Sequence, residues 1–312
     1  MKPKNISVCI AAFNGQNYIA EQLESVLGQS YMPDEVVICD EHSTDETAKV
    51  IRAFIQAHNL EERWHLYCNE QNKGYPDNFY YAMSLCRGDI VFLADQDDVW
   101  VPDKIQTMLR IMEKQDDVLL LSGGWGVIDA AGHMVKKPQY RQQKIKKISV
   151  PQIFLKYEWP GMSMCYRREL GQDVIKRTGH SKIPHDMALA LSAAEQDSFA
   201  VIPQCLQYHR NHEQNVAMEE HRLMKRLNKN RKVIEINRYL TMLGCIAESQ
   251  LLAREENQKL VKNKTQILKE RLYNLKHGDM LGIIGQYLRN RDMIRIATVI
   301  CDCLICRQRG KE

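Results

Sequence analysis

Apolar runs alternate with amphipathic stretches through the first half of the chain. Ile6–Phe13 is apolar and rich in strand formers, and Asn14-Gly15 breaks it, which predicts a strand running into a turn. Ile19, Leu23, Val26 and Leu27 then recur at helical spacing within Ile19–Gln29. Glu35–Cys39 reads as a buried strand. Ser43 or Thr44 can cap a helix whose apolar side is Val50, Ile51, Phe54 and Ile55. Trp64–Cys68 is a third strand, Phe79–Leu85 a helix and Ile90–Ala94 a fourth strand. Pro102 starts a helix that reaches Lys114, and Val118–Ser122 is a fifth strand. This alternation predicts an α/β fold, a mostly parallel sheet with helices on both faces. Ligands in such sheets sit beyond the carboxyl ends of the strands. Asn14, Asp40, Asn69 and Asp95 each stand at such an end.

The pattern then changes. Pro138–Pro151 is polar and basic and reads as a mobile loop. Mixed α/β pattern resumes to Tyr208, and beyond it the periodicity is helical over Leu223–Leu252 and Leu260–Leu275. No proline follows Pro203, which suits long helices. Charge divides at nearly the same place. Residues 1–209 hold 22 Lys+Arg against 27 Asp+Glu, a balance of −5, and residues 210–312 hold 21 against 12, a balance of +9. Two parts are expected, residues 1–216 and a basic helical extension over 217–312 that faces something anionic. Nucleic acid is not an expected partner; a membrane surface or a second subunit is.

The 312 residues are 44% hydrophobic and 26% charged, enough for a real core. The ten cysteines sit mostly in apolar runs such as SVCIAAF and VVICD, so thiols packed as small hydrophobes in a reducing, cytoplasmic compartment are expected. The trio Cys301, Cys303 and Cys306 lacks a second ligand pair at zinc-site spacing and reads as apolar packing. The chain leads directly into a strand-like run, so no leader is expected. No uncharged run approaches the roughly 20 residues that cross a bilayer.

Chemistry concentrates in FLADQDDVW, Phe92–Trp100, where a strand runs into Asp95, Asp97 and Asp98. Aspartate is a poor strand former, and three of them at one strand end build up charge that something must offset. The stretch is either a solvated turn capping the next helix or a site for a divalent cation, because hard cations take carboxylate oxygens.

Taken together, VCIAAFNGQNYIAEQLESVLGQSY, CDEHSTDET, NEQNKGYPDNF, FLADQDDVW, WPGMSMCYRREL, HDMALAL and YHRNHEQNV resemble, in order and spacing over residues 5–216, a family 2 glycosyltransferase of GT-A (Rossmann-like) fold, and in particular bacterial polysaccharide and rhamnosyltransferase-type members. The resemblance implies an inverting enzyme. Such an enzyme moves a hexosyl or rhamnosyl group from a UDP- or dTDP-linked nucleoside-diphosphate sugar to a hydroxyl of a glycan or lipid-linked acceptor. It implies Mg2+ or Mn2+ held by Asp95 and Asp97, with His212 able to reach metal or phosphate. Asp98 would serve the donor or orient the loop. Ala11, Phe13 and Asp40 would meet the nucleoside, and Lys73 and Arg210 the diphosphate. Trp159, Gly161 and His185 would shape the acceptor side. Asp186, at the start of an apolar helix, would be the general base. This chain departs from the family pattern at Ala11, where proline is frequent, and at His42, where glycine is usual.

Two other classes share parts of this pattern. A sugar-phosphate nucleotidyltransferase would need a Gly-rich phosphate loop after the first strand, which Asn14-Gly15-Gln16-Asn17 is not. A non-catalytic nucleotide-sugar-binding module would not need Asp186 together with the Asp95/Asp97 pair. The tail NRDMIRIATVICDCLICRQRGKE places Arg291, Arg295, Thr298 and Asp302 on one narrow polar stripe if helical. Arg289, Arg307, Arg309 and Lys311 lie beside it, suited to the interface of an anionic membrane.

Overall fold

In the computed structural model, which describes residues 5–136, 144–178, 182–212 and 227–307, the apolar runs of the first half become strands or the inner faces of helices. β1 (Ile6–Ala12), β2 (Glu35–Asp40), β3 (Trp64–Cys68) and β4 (Ile90–Asp95) lie parallel in the order β3-β2-β1-β4. The crossovers are α1 (Ile19–Leu27), α2 (Thr47–Ala57) and α3 (Tyr75–Leu85). Val8, Ile10, Ile38 and Phe92 are wholly inaccessible. Strands covered on both faces read as continuous apolar runs rather than alternations.

The sheet continues past β4 through β9 (Met164–Arg167), which is antiparallel to both β4 and β6 (Leu120–Asp129). β10 (Phe199–Asn211) runs parallel to β6 and carries the short β5 (Val99–Trp100) antiparallel on its other edge. β7 (Met134–Lys136) and β8 (Lys146–Lys147) add to β6 and β10. α4 (Lys104–Lys114), α6 (Arg168–Thr178) and α7 (His185–Glu195) complete this half.

Some boundaries differ from expectation for local reasons. The strand expected to end at Ser122 continues through Gly123-Gly124 to Asp129, held by its parallel partner β10. A Cβ at Gly123 would lie 3.0 Å from Leu206 Cδ1, so the bare backbone makes room for a core leucine. α3 begins at Tyr75 rather than Phe79, because Pro76 in its first turn presets φ and lacks an N–H that would go unbonded. The expected loop Pro138–Pro151 lies outside the described residues as far as 143. Its remainder forms β8 and the start of α5 (Val150–Leu155).

The described residues within Met1–Ser149, Trp159–His180 and Pro184–Asn211 form one compact unit. Those within Val150–Glu158, Ser181–Ile183 and His212–Glu312 form a second. The expected boundary at 216/217 lies outside the described residues, and α5 joins the second unit despite its place in the sequence. That unit also holds α8 (Lys229–Glu248), α9 (Glu255–His277), α10 (Met280–Arg289) and α11 (Ile296–Arg307). Residues 223–226 of the expected first helix lie outside the described residues. α8 starts behind Asn228, whose side chain accepts from the Arg231 N–H.

α9 is the spine of the second unit. Lys264 Nζ donates to the Met293 carbonyl at 2.7 Å, and Gln286 Nε2 donates to that of Ile267 at 2.7 Å. The tail stripe expected from the sequence does not form. Residues 291–295 precede α11 as turns, and Asp302 points inward. There it receives Arg271 in a two-pronged pair, Nε to Oδ2 at 2.6 Å and Nη2 to Oδ1 at 2.9 Å. A half-buried arginine on α9 draws in the one acid of the last helix. Arg309 and Lys311 lie outside the described residues. All ten cysteines are free thiols. Among the described residues no helix is long and apolar enough to cross a membrane.

Removing one partner of a buried ion pair costs about 3–5 kcal/mol, because the other charge is left unpaired. Arg271 keeps some solvent contact, so the lower end applies: Asp302→Ala should destabilise the helical unit by about 3 kcal/mol. Adding Arg271→Met should recover most of the loss. Urea unfolding of the three proteins reads both effects.

Candidate active site

Parallel register brings the strand ends together. Ala11 pairs with Asp95 and Ala12 with Asp40, so β1, β2 and β4 deliver their last residues to one edge of the sheet. Asp40 is buried, and both of its oxygens are engaged by Ser43: Oδ1 accepts from Oγ at 2.5 Å and Oδ2 from the backbone N–H at 3.0 Å. Ser43 Oγ in turn accepts from the Asn14 N–H at 2.9 Å. His42 adopts φ +57, a left-handed conformation that glycine takes without strain, which is the physical reason a glycine suits this position. Phe13 lies just past β1 with 44% of its surface open.

The acid segment is clasped to β1 by the residue between its aspartates. Gln96 Oε1 accepts from the Phe13 N–H at 2.8 Å, and its Nε2 donates to the Phe13 carbonyl at 2.8 Å. A Cβ at Gly15 would come within 2.1 Å of Gln96 Oε1, so Gly15 is the space the clasp needs. With Gln96 turned to β1, Asp95 is half-buried while Asp97 and Asp98 are buried. Burial, then the charges of Asp98 and Asp97, push the Asp95 carboxyl well above the usual carboxylate range. Burial also raises Asp98, against the pull of His209.

Cations from β10 answer this charge. His209 Nδ1 meets Asp98 Oδ1 at 3.0 Å. Burial disfavours its imidazolium, but the hydrogen bond and the charges of Asp98, Asp95 and Asp97 outweigh that and raise its pKa to about 9. Arg210 is buried and fully engaged: Nε on the Asp97 carbonyl at 2.9 Å, Nη1 on that of Ala130 at 3.2 Å, and Nη2 on Glu21 Oε2 at 2.6 Å. The sequence reading put Arg210 on the diphosphate. Its geometry here is that of a clamp, tying the acid segment to α1 and to the turn after β6. His212 is buried and belongs to the second unit, and the chain after it lies outside the described residues.

Lys104 is also wholly buried. Its Nζ donates to the Met162 carbonyl at 2.8 Å and to Gln207 Oε1, and lies 3.8 Å from the centre of the Trp100 ring. Burial lowers its pKa to about 7. Met162 belongs to the turn Gly161–Ser163, and that turn packs on the start of α7: a Cβ at Gly161 would come within 2.5 Å of His185 Nε2. His185 stacks on Phe79 with centroids 3.8 Å apart, and neither of its nitrogens has a partner among the described residues. Burial holds its pKa near 3, so it is neutral. Asp186 is half-buried in the first turn of α7, and its Oδ1 accepts from the Met187 N–H at 2.7 Å. Its charge is felt at Asp95 and at the Tyr75 phenol, whose pKa rises to about 12 through burial and then Asp186 and Asp95. Trp159 is half-buried, edge-on to Phe199 at 5.4 Å.

Residues 7–171 match the model of glycosyl transferase family 2. The chain belongs to that family. An Escherichia coli member, UDP-Glc:alpha-D-GlcNAc-diphosphoundecaprenol beta-1,3-glucosyltransferase WfaP, is 31% identical over 112 residues, 35% of this chain and 42% of that protein. The chain spans about half, or less, of the length of the curated relatives it matches. Among solved structures, S. aureus TarS 1–349 in complex with UDP superposes with a TM-score of 0.57 at 15% identity, covering 98% of this chain and 92% of that one. The mannosyltransferase PcManGT from Pyrobaculum calidifontis, in complex with GDP-Man and Mn2+, gives 0.53 at 15% identity, covering all of this chain and 89% of that one. These likenesses establish the GT-A fold and a helical C-terminal region.

Within the family 2 chain, several residues of the site carry no motif signal. Gln96 stands between Asp95 and Asp97 in the turn after β4, where no pattern in the sequence marks it. Glu41 is buried and accepts the backbone N–H groups of Lys73 and Gly74, at 2.9 Å for the latter, so it sets the loop on which the exposed Lys73 stands. Tyr75 and Lys104 read as ordinary helix residues. For the implied cation, the donor set fits: the crowded carboxyls are hard oxygen ligands, and the buried Asp98 Oδ2 has no partner among the described residues. Among those residues no three His, Cys, Asp or Glu side chains form a ready cage. A cation would need further oxygens, as divalent sites completed by substrate phosphates do.

The neutral His185 makes a pH prediction. Its folded pKa near 3 lies below the ordinary 6.5, so between those values the unfolded chain binds a proton that the folded chain does not. Its stabilising contribution is complete above 6.5 and is lost as pH falls, by about 1.4 kcal/mol per unit once fully developed. His185→Leu should show a shallower fall of the urea midpoint between pH 6.5 and 5 than the wild type.

Proposed function

We propose that this family 2 chain is an inverting glycosyltransferase of cell-surface polysaccharide synthesis. It moves a sugar from a UDP- or dTDP-linked donor to a hydroxyl of a glycan or lipid-linked acceptor on the cytoplasmic side of a membrane. The observation that carries the reading is the parallel register that delivers Asp40 and Asp95 to one sheet edge beside Ala12 and Ala11, with the acid segment clasped there through Gln96. The names of similar proteins support the choice of substrates: WfaP carries UDP-Glc and a diphosphoundecaprenol acceptor, TarS is bound to UDP, and PcManGT to GDP-Man with Mn2+.

In this reading the first unit carries catalysis and the helical unit is an extension. Asp40, Ala11 and Phe13 receive the nucleoside, Phe13 with its open ring. Asp95 and Asp97 would hold Mg2+ or Mn2+ together with the donor diphosphate, and Asp98 is held by His209. A bound divalent ion supplies Lewis-acid neutralisation of the leaving diphosphate. Lys73 meets the diphosphate, while Arg210 keeps the acid segment in place. On the other side Trp159, Gly161 and the neutral His185 shape the acceptor pocket. The acceptor oxygen attacks the anomeric carbon from the face opposite the diphosphate, whose bond breaks with the electron pair leaving on oxygen. Asp186 takes the acceptor's proton.

Donor hydrolysis measured over UDP-glucose, UDP-galactose and dTDP-rhamnose, with and without Mg2+ or Mn2+, tests the reading directly. Metal-dependent release of a nucleoside diphosphate from at least one donor is expected, and Asp97→Asn should abolish it. Asp186→Asn keeps shape and size, so donor binding by calorimetry should survive while transfer falls by about a hundredfold to ten-thousandfold. An Asp186→Asn protein that loses donor affinity and turnover in parallel makes Asp186 a binding residue and overturns its role as base.

A further inference from the structure

α10 and α11 pack on α9 and on each other, and each leaves its other side bare. On α10, Ile283 and Gln286 are buried, while Leu281, Ile284 and Leu288, spaced three and four apart, are exposed, Leu281 to 83%. On α11, Val299 and Ile305 are buried, while Ile296, Ile300 and Leu304, each four apart, are exposed. Single exposed aliphatics need no explanation, but six in register on two adjoining helices do. An open cleft of about 320 Å³ runs between the two faces, bordered by Met280, Ile284, Ile300 and Leu304. That is the small end of ligand pockets, and it lies outside the enclosed catalytic unit, so a small-molecule ligand does not account for the whole face.

Charge selects the occupant. Arg291 and Arg295, in the turn between the two helices, and Arg307, on the border of the cleft, are exposed with no ion pair among the described residues, and Asp292 is the exposed acid beside them. Asp302, which would oppose them, is turned inward onto Arg271. A second copy docked face to face here would bring basic residues toward basic residues, and like-charge juxtaposition disfavours association. An anionic lipid surface satisfies both features at once, taking the aliphatic side chains at the acyl boundary and the arginines among the headgroups.

We propose that the paired outer faces of α10 and α11 are a membrane-docking surface that lies in the plane of an anionic bilayer. It rests on the function proposed above only for its purpose, which is to meet a lipid-linked acceptor. The docking itself is independent of donor chemistry.

The test is co-sedimentation of the full-length protein with vesicles of equal parts phosphatidylglycerol and phosphatidylcholine, or of phosphatidylcholine alone, without nucleotide. The wild type should pellet with the anionic vesicles and not with the neutral ones. Raised salt should weaken binding on the order of tenfold. Leu281→Glu/Ile300→Glu and, separately, Arg291→Glu/Arg295→Glu should each lose on the order of tenfold in binding, with thermal midpoint and donor hydrolysis unchanged. Equal binding by the wild type and both variants, or no binding by the wild type, overturns the docking surface. So does a dimer that Leu281→Glu/Ile300→Glu dissociates without any vesicle binding, which assigns the face to a second copy. Vesicle binding without hydrolysis of any donor leaves the docking surface standing and overturns the enzymatic reading instead.

Discussion

Three carboxylates at the end of one buried strand are the constraint around which the first unit is arranged. Asp95, Asp97 and Asp98 are crowded together, and burial alone already disfavours the charge of Asp95 and Asp98. The fold holds them there because the cost is answered from several elements. β10 supplies His209 against Asp98 and the Arg210 clamp on the Asp97 carbonyl, while α4 supplies Lys104 beneath. Arg210 reaches Glu21 on α1 as well, so the charge balance also ties the first crossover to the last strand of the unit. The protein's own cations leave Asp95 raised, and that residual imbalance is what a bound divalent cation would relieve.

The parallel half was legible because its strands are buried on both faces: an apolar run bounded by turn residues has few other readings. The strand ends were legible for the same reason, and Asp40 and Asp95 do arrive at one sheet edge beside Ala12 and Ala11. Boundaries failed where a long-range partner overrode a local signal. Gly123-Gly124 reads as a break, yet β6 passes through it because β10 lies alongside and Leu206 needs the space. The tail stripe failed for a related reason. A helical wheel placed Asp302 with the arginines, but Arg271, remote in sequence, decides where that carboxylate goes.

Motif logic located the charged residues of the site and missed those that aim them. Arg210 looked like a free cation beyond a strand end, and only the coordinates reveal that its guanidinium is taken up by Glu21 and backbone carbonyls. Gln96 is the opposite case, a residue with no charge to advertise that nevertheless fixes where its two flanking aspartates point. No periodicity contains it: β4 ends at Asp95, Gln96 stands in the turn that follows, and its clasp on Phe13 exists only in the folded chain.

Lys104 links the two halves of the proposed reaction. Its amine is held by the Met162 carbonyl, Gln207 and the Trp100 ring, and the nearby Asp98, Cys165 and Asp95 oppose the pull of burial toward the neutral form. Met162 lies in the turn whose Gly161 abuts His185, one residue before Asp186. The same side chain therefore responds to the acid segment and anchors the turn against which the candidate base is packed. One buried lysine thus joins β10 and the turn that packs on α7, and the spacing of the motifs along the sequence could not have disclosed that link.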